Sequence, residues 1–290
     1  MITVENLSYT YKKSKEPALS DLNFGVEGGE IFGFLGPSGA GKSTAQKIMI
    51  GLLGEFTGNI AVAGKNIKEW DYSYYDKIGV CFELPNHYLK LSALENLDYF
   101  STFYNVPTKN PIELLEMVGL KNDANKRVEE FSKGMKMRLN FVRSLLHDPE
   151  ILFLDEPTSG LDPVNARNIK NIILDQKQKG KTIFLTTHNM HDADELCDRV
   201  AFIAGGKISI IDSPKQLKIN NGKRVVKVEY LKGVPEQKEF DMDNIGNNTG
   251  FLDIIKHNHL ISIHSEEASL DDVFIEITGT SLIQNAESHE

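Results

Sequence analysis

A glycine-rich segment near the N-terminus contains the residue types that phosphate binding requires. It reads Gly36, Pro37, Ser38, Gly39, Ala40, Gly41, Lys42, Ser43 and Thr44, all of them nucleotide-binding candidates. Glycines allow backbone N–H groups to curl around a phosphate, and the N-terminus of a following helix adds partial positive charge. Lys42 would neutralise the β- and γ-phosphates of a nucleoside triphosphate, while the Ser43 hydroxyl would ligate Mg²⁺. The alternative is a glycine-rich turn that contains Lys-Ser by chance.

Two adjacent acids form a second candidate site. Asp155 and Glu156 directly follow the apolar run Ile151–Leu154, which is typical of a buried strand. The carboxyl end of such a strand delivers side chains to the sheet edge where ligands bind in open α/β sheets. Asp155 would hold Mg²⁺, and Glu156 would polarise the attacking water as general base. Two solvated acids after a core strand are the alternative, which the upstream phosphate loop disfavours.

The elements that must position these residues follow from apolar periodicity. Ile31–Leu35 is typical of a strand buried on both faces, and it runs directly into the glycine-rich segment. A helix is predicted next, from about Lys42 to Leu53. Thr182–Thr186 is another buried strand, with a helix over 163–178 between it and Ile151–Leu154. Apolar strands alternating with helices predict a parallel sheet in an α/β protein.

Shorter patterns fill the rest of the chain, and residues 84–146 are mostly helical. The predicted elements outside the parallel sheet are strands at Ile2–Leu7 and Leu22–Val26, helices at Ala93–Phe103 and Pro111–Val118, strands at Val225–Tyr230 and Leu260–His264, and a helix at Leu270–Ile277.

Composition limits the class of protein. The chain has 290 residues, of which 40% are hydrophobic and 25% charged, as in an ordinary globular protein. No run approaches the roughly 18 apolar residues of a membrane-spanning helix, and the first residues lack the pattern of a secretory signal. Two cysteines, Cys81 and Cys197, are too few for a disulfide framework and are expected to be core residues in a reducing compartment. We expect a cytoplasmic location.

Charge is unevenly distributed. The net charge of −9 disfavours a nucleic-acid partner. From Asn220 onward, 6 Lys/Arg stand against 13 Asp/Glu, a net of −7, which leaves −2 for everything before. Turn residues cluster at Ile219–Gly222. We therefore predict two domains, residues 1–219 and a small acidic domain over 220–290.

A series of motifs in the first 215 residues resembles the ABC ATPases. Phe131-Ser132-Lys133-Gly134-Met135 opens an amphipathic helix and resembles their signature loop, usually Leu-Ser-Gly-Gly-Gln. Ser159-Gly160-Leu161-Asp162 resembles their D-loop, and His188, after a strand, resembles their switch histidine. Tyr11 stands where these proteins place an aromatic ring against adenine, with Tyr9 as the competing ring.

The resemblance implies both a fold and a mechanism. The fold is α/β, a P-loop NTPase core with a parallel sheet, an N-terminal antiparallel β subdomain, an inserted α-helical subdomain at about 84–146 and a small α+β C-terminal domain. Two subunits would bind ATP and Mg²⁺ head to tail, with Ser132, Gly134 and Asp162 meeting the partner's nucleotide. His188 would hydrogen-bond the γ-phosphate.

This chain departs from the family pattern at three positions. Glu83 stands where the family has the glutamine of its Q-loop. A carboxylate can orient water or ligate Mg²⁺, so Glu83 is both a catalytic and a metal-binding candidate, but it cannot donate a hydrogen bond as an amide does. Lys133 and Met135 replace a glycine and a glutamine of the signature. These changes leave the rate of ATP hydrolysis and the contacts to the partner subunit undecided. The reaction itself is still expected, since Lys42, Asp155, Glu156 and His188 are all present.

Two segments resemble bacterial antibiotic exporters, including fluoroquinolone-type systems: Glu83–His87 and Ser269–Ile275. This likeness implies a separate transmembrane permease, a second ATPase subunit as a homodimer, and a peripheral location at the cytoplasmic face of the cell membrane. Leu84–Leu91, with Tyr88, is the expected docking segment for the permease. The alternatives are a soluble ABC ATPase not coupled to transport and a catalytically silent nucleotide-binding module. The C-terminal domain either stabilises a dimer or is only a packing cap.

Overall fold

The computed structural model describes residues 1–221, 225–266 and 268–279. Its strands are β1 (Ile2–Tyr9), β2 (Leu19–Val26), β3 (Ile31–Leu35), β4 (Thr57–Val62), β5 (Lys65–Asn66), β6 (Ile78–Cys81), β7 (Ile151–Asp155), β8 (Thr182–Thr187), β9 (Arg199–Ala204), β10 (Lys207–Asp212), β11 (Val225–Lys232), β12 (Val234–Asp241) and β13 (His259–Glu266). Its α-helices are α1 (Lys42–Met49), α2 (Ala93–Ser101), α3 (Pro111–Met117), α4 (Lys133–Arg143), α5 (Pro163–Gln178), α6 (Met190–Leu196), α7 (Pro214–Asn221), α8 (Thr249–His257) and α9 (Leu270–Thr278).

The central sheet has six strands in the order β10-β9-β3-β8-β7-β6. All neighbours pair in parallel except β10, which runs antiparallel to β9. Every residue of β3, β7 and β8 is buried, as expected for apolar strands covered on both faces. The predicted parallel α/β core is therefore confirmed, and the carboxyl ends of β3, β8 and β7 meet at one edge.

A second, antiparallel sheet in the order β2-β1-β4-β5 forms the N-terminal subdomain. Aromatic side chains join it to the central sheet. Phe24 of β2 lies 5.6 Å from Phe32, 5.4 Å from Phe34 and 6.1 Å from Phe184, measured between ring centroids. Phe184 also lies 5.8 Å from Phe153 of β7. These rings form part of one buried core that underlies β3, β7 and β8.

Three helices, α2 to α4, lie between β6 and β7 in the chain. Three helices are shorter than predicted, and for α3 the difference is one residue, since it ends at Met117 rather than Val118. The other two helices differ more. The first, α1, ends at Met49 rather than Leu53, because Gly51 adopts a positive φ of 78° that stops the helix. In α2, which ends at Ser101 rather than Phe103, the hydroxyls of Ser101 and Thr102 donate to backbone carbonyls three residues earlier and compete with the helical pattern.

The chain divides into two compact units, one covering Met1–Ser213 and the other beginning at Pro214. The second contains the antiparallel sheet β12-β11-β13. Five of the buried side chains in this unit form one apolar cluster: Val226, Val228, Tyr230, Phe240 and Ile254. Helix α7 belongs to this second unit. Part of the predicted boundary at Ile219–Gly222 lies outside the described residues. The division into 1–219 and 220–290 stays a prediction.

Within the described part of the chain, none of the helices is both long enough and apolar enough to span a membrane.

Removing the ring of Phe184 tests whether the aromatic core supports the sheet. Phe184 is fully buried. We expect Phe184→Ala to lower the free energy of unfolding by about 3–5 kcal/mol, through lost burial and the cavity left behind. Denaturant titration followed by circular dichroism measures it. The control, Tyr72→Ala, removes a ring that is 85% exposed and should change stability by no more than about 0.5 kcal/mol. If the two variants lowered the free energy of unfolding equally, the ring of Phe184 would not be a main support of the sheet.

Candidate active site

A cleft of about 340 Å³ lies at the carboxyl ends of β3, β7 and β8. The parallel strands bring three loops to this edge: the glycine-rich segment after β3, the acidic pair at the end of β7, and His188 after β8. The residues that line the cleft are Tyr11, Ala18, Ser38, Gly39, Gly41, Lys42, Ser43, Thr44, Glu83, Asp155, Glu156 and His188.

The glycine-rich loop is closely packed where it lacks side chains. A Cβ atom on Gly36 would lie 2.2 Å from the carbonyl oxygen of Ile203. Gly41 has a φ of 107°, and a Cβ there would lie 2.6 Å from a methyl group of Leu19. Only glycine fits at either position, so the loop can turn sharply into α1. Its backbone N–H groups and the N-terminus of α1 are suited to an anion.

Lys42 is the buried cation of the cleft, with only 7% of its surface exposed. Its Nζ donates to the carbonyl oxygens of Gly36 at 2.6 Å and Pro37 at 3.0 Å. Burial lowers the pKa of Lys42, while the negative charges of Glu156, Asp155 and Glu83 oppose that shift. The ammonium group is therefore held inside the loop and faces three carboxylates.

The oxygen atoms needed for a metal ion come from three separate elements. Asp155 is buried and accepts a hydrogen bond from the Thr186 hydroxyl. Ser43 lies in the first turn of α1, and the exposed Glu83 follows β6. Both line the same cleft as Asp155. A set of carboxylate and hydroxyl oxygens suits Mg²⁺, which prefers hard oxygen ligands. The residues present thus fit this ion.

Glu156 adopts an unusual backbone conformation, with a φ of 47°. Such a conformation is strained for a residue with a side chain and is concentrated at functional sites. Because the chain turns here, Glu156 and Asp155 line one cleft although they are adjacent. The Glu156 carboxylate accepts from the Thr187 hydroxyl at 2.9 Å and from the His188 N–H at 2.8 Å. The Nδ1 atom of His188 lies 2.6 Å from the same carboxylate.

Tyr11 lines the cleft and is half-exposed, whereas its neighbour Tyr9 does not line it. The two rings pack edge to face, with centroids 4.9 Å apart. The Tyr11 hydroxyl lies 3.0 Å from the Thr44 hydroxyl. Tyr11 thus presents a ring beside the glycine-rich loop.

Other candidate residues lie away from the cleft lining. Three residues of the glycine-rich loop do not line the cleft themselves: Gly36, Pro37 and Ala40. Ser132 caps α4, its hydroxyl accepting from the Met135 N–H at 3.2 Å, and Asp162 caps α5 through the N–H groups of Val164 and Asn165. A Cβ atom on Gly134 would lie 3.5 Å from Leu161, within the D-loop motif of the same chain. The structure does not bring Ser132, Gly134 or Asp162 to this chain's own cleft.

Sequence reasoning missed four residues around the site. Ala18 lines the cleft. The hydroxyls of Thr186 and Thr187 contact the carboxylates of Asp155 and Glu156, and the side chain of Gln46 lies against Thr186. A signal for the threonines was present, since two hydroxyl residues directly follow the apolar run Ile183–Leu185 in β8, and Gln46 lies on the buried face of α1.

Known families and relatives of this chain share the nucleotide-binding fold described above. The family model described as "ABC transporter" matches residues 19–159, and the model described as "Fluoroquinolone efflux ABC transporter C-terminal domain" matches residues 224–267. The chain is 55% identical over 284 residues to a fluoroquinolones export ATP-binding protein of Mycobacterium tuberculosis, covering 97% of this chain and 94% of that protein. The chain belongs to the ABC transporter family as an ATP-binding subunit.

More distant relatives agree. A lantibiotic transport ATP-binding protein of Streptococcus pyogenes is 38% identical over 208 residues, which cover 72% of this chain and 89% of that protein. A dimeric ATP-binding cassette in a post-hydrolysis state, bound to ADP and Pi, matches the fold with a TM-score of 0.68 at 27% identity, over 73% of this chain and 98% of that one. The ABC ATPase domain binds and hydrolyses ATP, and a transmembrane partner is implied.

The buried charge of Lys42 gives a direct test of the cleft. We expect Lys42→Ala to abolish ATP hydrolysis and to weaken ATP binding by about tenfold or more, because a charge-assisted contact to phosphate is lost. Isothermal titration calorimetry measures the affinity. Lys47→Ala is the matched control, since Lys47 lies on the same helix but is exposed. Unchanged ATP affinity in Lys42→Ala would remove this residue from the site.

Proposed function

We propose that this chain is the ATP-hydrolysing subunit of an exporter and that hydrolysis takes place in the cleft described above. The observation that carries the proposal is that Lys42, Asp155, Glu156 and His188 all line this one cleft. Each supplies a separate requirement of phosphoryl transfer to water: positive charge, a metal ligand, a base and a group to hold the γ-phosphate.

The residues of the cleft divide the work by their chemistry. Backbone N–H groups of the loop and Lys42 bind the phosphates, and the ring of Tyr11 lies against adenine. Ser43, Asp155 and Glu83 are the residues that would hold Mg²⁺, which when bound neutralises charge on the phosphates. Glu156 takes a proton from the attacking water. Because Nδ1 of His188 faces Glu156, Nε2 is the nitrogen that reaches the γ-phosphate.

The remaining candidates act across a dimer in this proposal. Ser132 and Gly134 at the start of α4, and Asp162 in the D-loop, contact the nucleotide held by a second copy of the chain. Their position outside the lining of the same chain's cleft supports this arrangement, as do dimers among the structural relatives. A homodimer then contains two nucleotides, each between a phosphate loop and a facing signature loop.

Transport direction and cargo come from the relatives. The names of the two sequence relatives described above refer to export of fluoroquinolones and transport of lantibiotics. We therefore propose that ATP hydrolysis drives efflux of a drug-like molecule through a separate permease, with the subunit at the cytoplasmic face of the membrane. The named relatives give no support to an ABC ATPase that works apart from transport.

A second cavity supports docking of the permease next to the cleft. Its volume is about 470 Å³, and its lining includes Phe82, Leu84, Phe100 and Arg143. Beside it, the ring of Tyr88 packs edge to face on Tyr99 at 4.9 Å, and Tyr99 packs on Phe103 at 5.1 Å. Leu84 is 77% exposed and Tyr88 47%, so neither is a closed core residue. An apolar floor with polar edges suits a short helix from a partner.

Replacing Glu156 separates binding from hydrolysis. We expect Glu156→Gln to keep ATP binding but to lose the base, so that an ATP-bound dimer accumulates. Size-exclusion chromatography with multi-angle light scattering measures the mass with and without ATP, and phosphate release measures turnover. A variant that stays monomeric with ATP and hydrolyses at the normal rate would rule out the proposed role of Glu156.

Tyr88 tests the docking surface. We expect Tyr88→Ala to leave the melting temperature of the isolated subunit nearly unchanged, since the side chain is half-exposed, while weakening co-purification with the permease and uncoupling hydrolysis from transport. Tyr88→Phe keeps the ring and should keep assembly. If Tyr88→Ala lowers the melting temperature by several degrees while assembly stays intact, the ring is a core residue and the permease docks elsewhere.

A further inference from the structure

Two adjacent threonines end the strand next to the two adjacent acids. Strands β7 and β8 pair in parallel, and the register sets Asp155 beside Thr186. The backbone N–H of Glu156 also donates to the carbonyl oxygen of Thr186 at 2.9 Å. Both threonine side chains are buried, with Thr186 fully so and Thr187 2% exposed. Each hydroxyl contacts a different one of the two carboxylates.

The Thr186 hydroxyl has one proton and three possible acceptors. The Asp155 carboxylate makes the shortest contact, whereas the Gln46 amide oxygen and the Leu154 carbonyl oxygen lie 3.3 Å and 3.5 Å away. Since a carboxylate is also the strongest acceptor, the proton belongs to the bond with Asp155. The Thr186 oxygen is then free to accept a hydrogen bond.

Gln46 supplies the donor. Its side chain is 2% exposed, and its Nε2 atom has no hydrogen-bond partner among the described residues. The oxygen and nitrogen of a side-chain amide are assigned from their hydrogen-bond partners. Turning this amide by half a rotation lets Nε2 donate to Thr186, which already donates to Asp155. The result is a directed chain from Gln46 through Thr186 to Asp155.

Thr187 belongs to a separate group of contacts. Its oxygen accepts from the Asn189 N–H at 3.0 Å, and its hydroxyl donates to Oε2 of Glu156 at 2.9 Å. The other oxygen of Glu156 is held by the backbone and ring of His188. The Asp155 carboxylate is held instead by the Thr186 hydroxyl, so the two carboxylates are positioned independently.

We propose that Thr186 and Thr187 are positioning residues with different tasks. Thr186, oriented by Gln46, sets the Asp155 carboxylate for the metal ion, and Thr187 sets the Glu156 carboxylate for the attacking water. The inference rests on the proposed function of Asp155 and Glu156. Packing alone does not account for the hydroxyls, because valine is also β-branched, has a similar volume and is favoured in buried strands.

The test uses the full chain assembled with its permease and compares Thr186→Val, Thr186→Ser, Thr187→Val and Thr187→Ser. The first measurement is ATP affinity as a function of Mg²⁺ concentration, with EDTA as the metal-free reference. The second is kcat at saturating ATP and Mg²⁺. Thermal melting reports folding of every variant. Asp155→Asn and Glu156→Gln run alongside as direct tests of the proposed function.

We expect the two valine variants to change different properties, the Mg²⁺ requirement in one and kcat in the other. Thr186→Val raises the Mg²⁺ concentration for half-maximal ATP binding by about tenfold, and metal-free affinity stays unchanged, since one bond to a charged group is lost. Gln46→Met shifts the same quantity in the same direction by a smaller factor. Thr187→Val leaves the Mg²⁺ requirement unchanged but lowers kcat by about tenfold or more through a misplaced base. Serine restores each property.

Two results would overturn the inference. One is that Thr186→Val and Thr187→Val both change only the Mg²⁺ requirement or both change only kcat, or that the serine variants restore neither property. The hydroxyls would then be ordinary buried hydrogen bonds. The other is that each functional loss is matched by a fall in melting temperature that serine does not repair. Failure of the proposed function looks different: Asp155→Asn would then not affect the Mg²⁺ requirement, or Glu156→Gln would hydrolyse normally.

Discussion

The balance of charge around Lys42 is the constraint on which the site depends. A buried ammonium group is costly, and here the loop carbonyls of Gly36 and Pro37 and the negative charges of Asp155, Glu156 and Glu83 offset that cost. A triphosphate brings several more negative charges into the same cleft. Lys42 alone does not balance them, and the Mg²⁺ that we propose beside Asp155 would offset part of the remaining negative charge and strengthen binding.

The fold meets this constraint through the direction of its strands. Because β3, β8 and β7 are parallel neighbours, the loops that follow them open at one edge, and residues far apart in the chain reach one volume. The neighbouring strand then supplies what orients them, since Thr186 and Thr187 of β8 bond to Asp155 and Glu156 at the end of β7. The parallel pairing of β7 with β8 thus places the two threonine hydroxyls beside the carboxylates that they contact.

Patterns that depend on local sequence were predictable. Apolar runs identified β3, β7 and β8, and the spacing of Gly36, Gly41, Lys42 and Ser43 identified the phosphate loop. Contacts between distant segments were not predictable. Nothing in the sequence near Gln46 reveals that it lies against Thr186, 140 positions later. The positive φ of Glu156 is likewise imposed by tertiary contacts, because no local pattern favours it in a glutamate.

Glu83 connects the nucleotide cleft to the cavity where we propose that the permease docks. It lines both, and the next residue, Leu84, is among the most exposed apolar side chains. A glutamine at this position would feel the charge of the cleft only weakly. A glutamate would be repelled by Asp155 and Glu156, and it would be attracted by a metal ion if one binds beside them as we propose. Position 83, where this chain departs from the family's glutamine, thus lies where the nucleotide cleft and the proposed docking cavity meet.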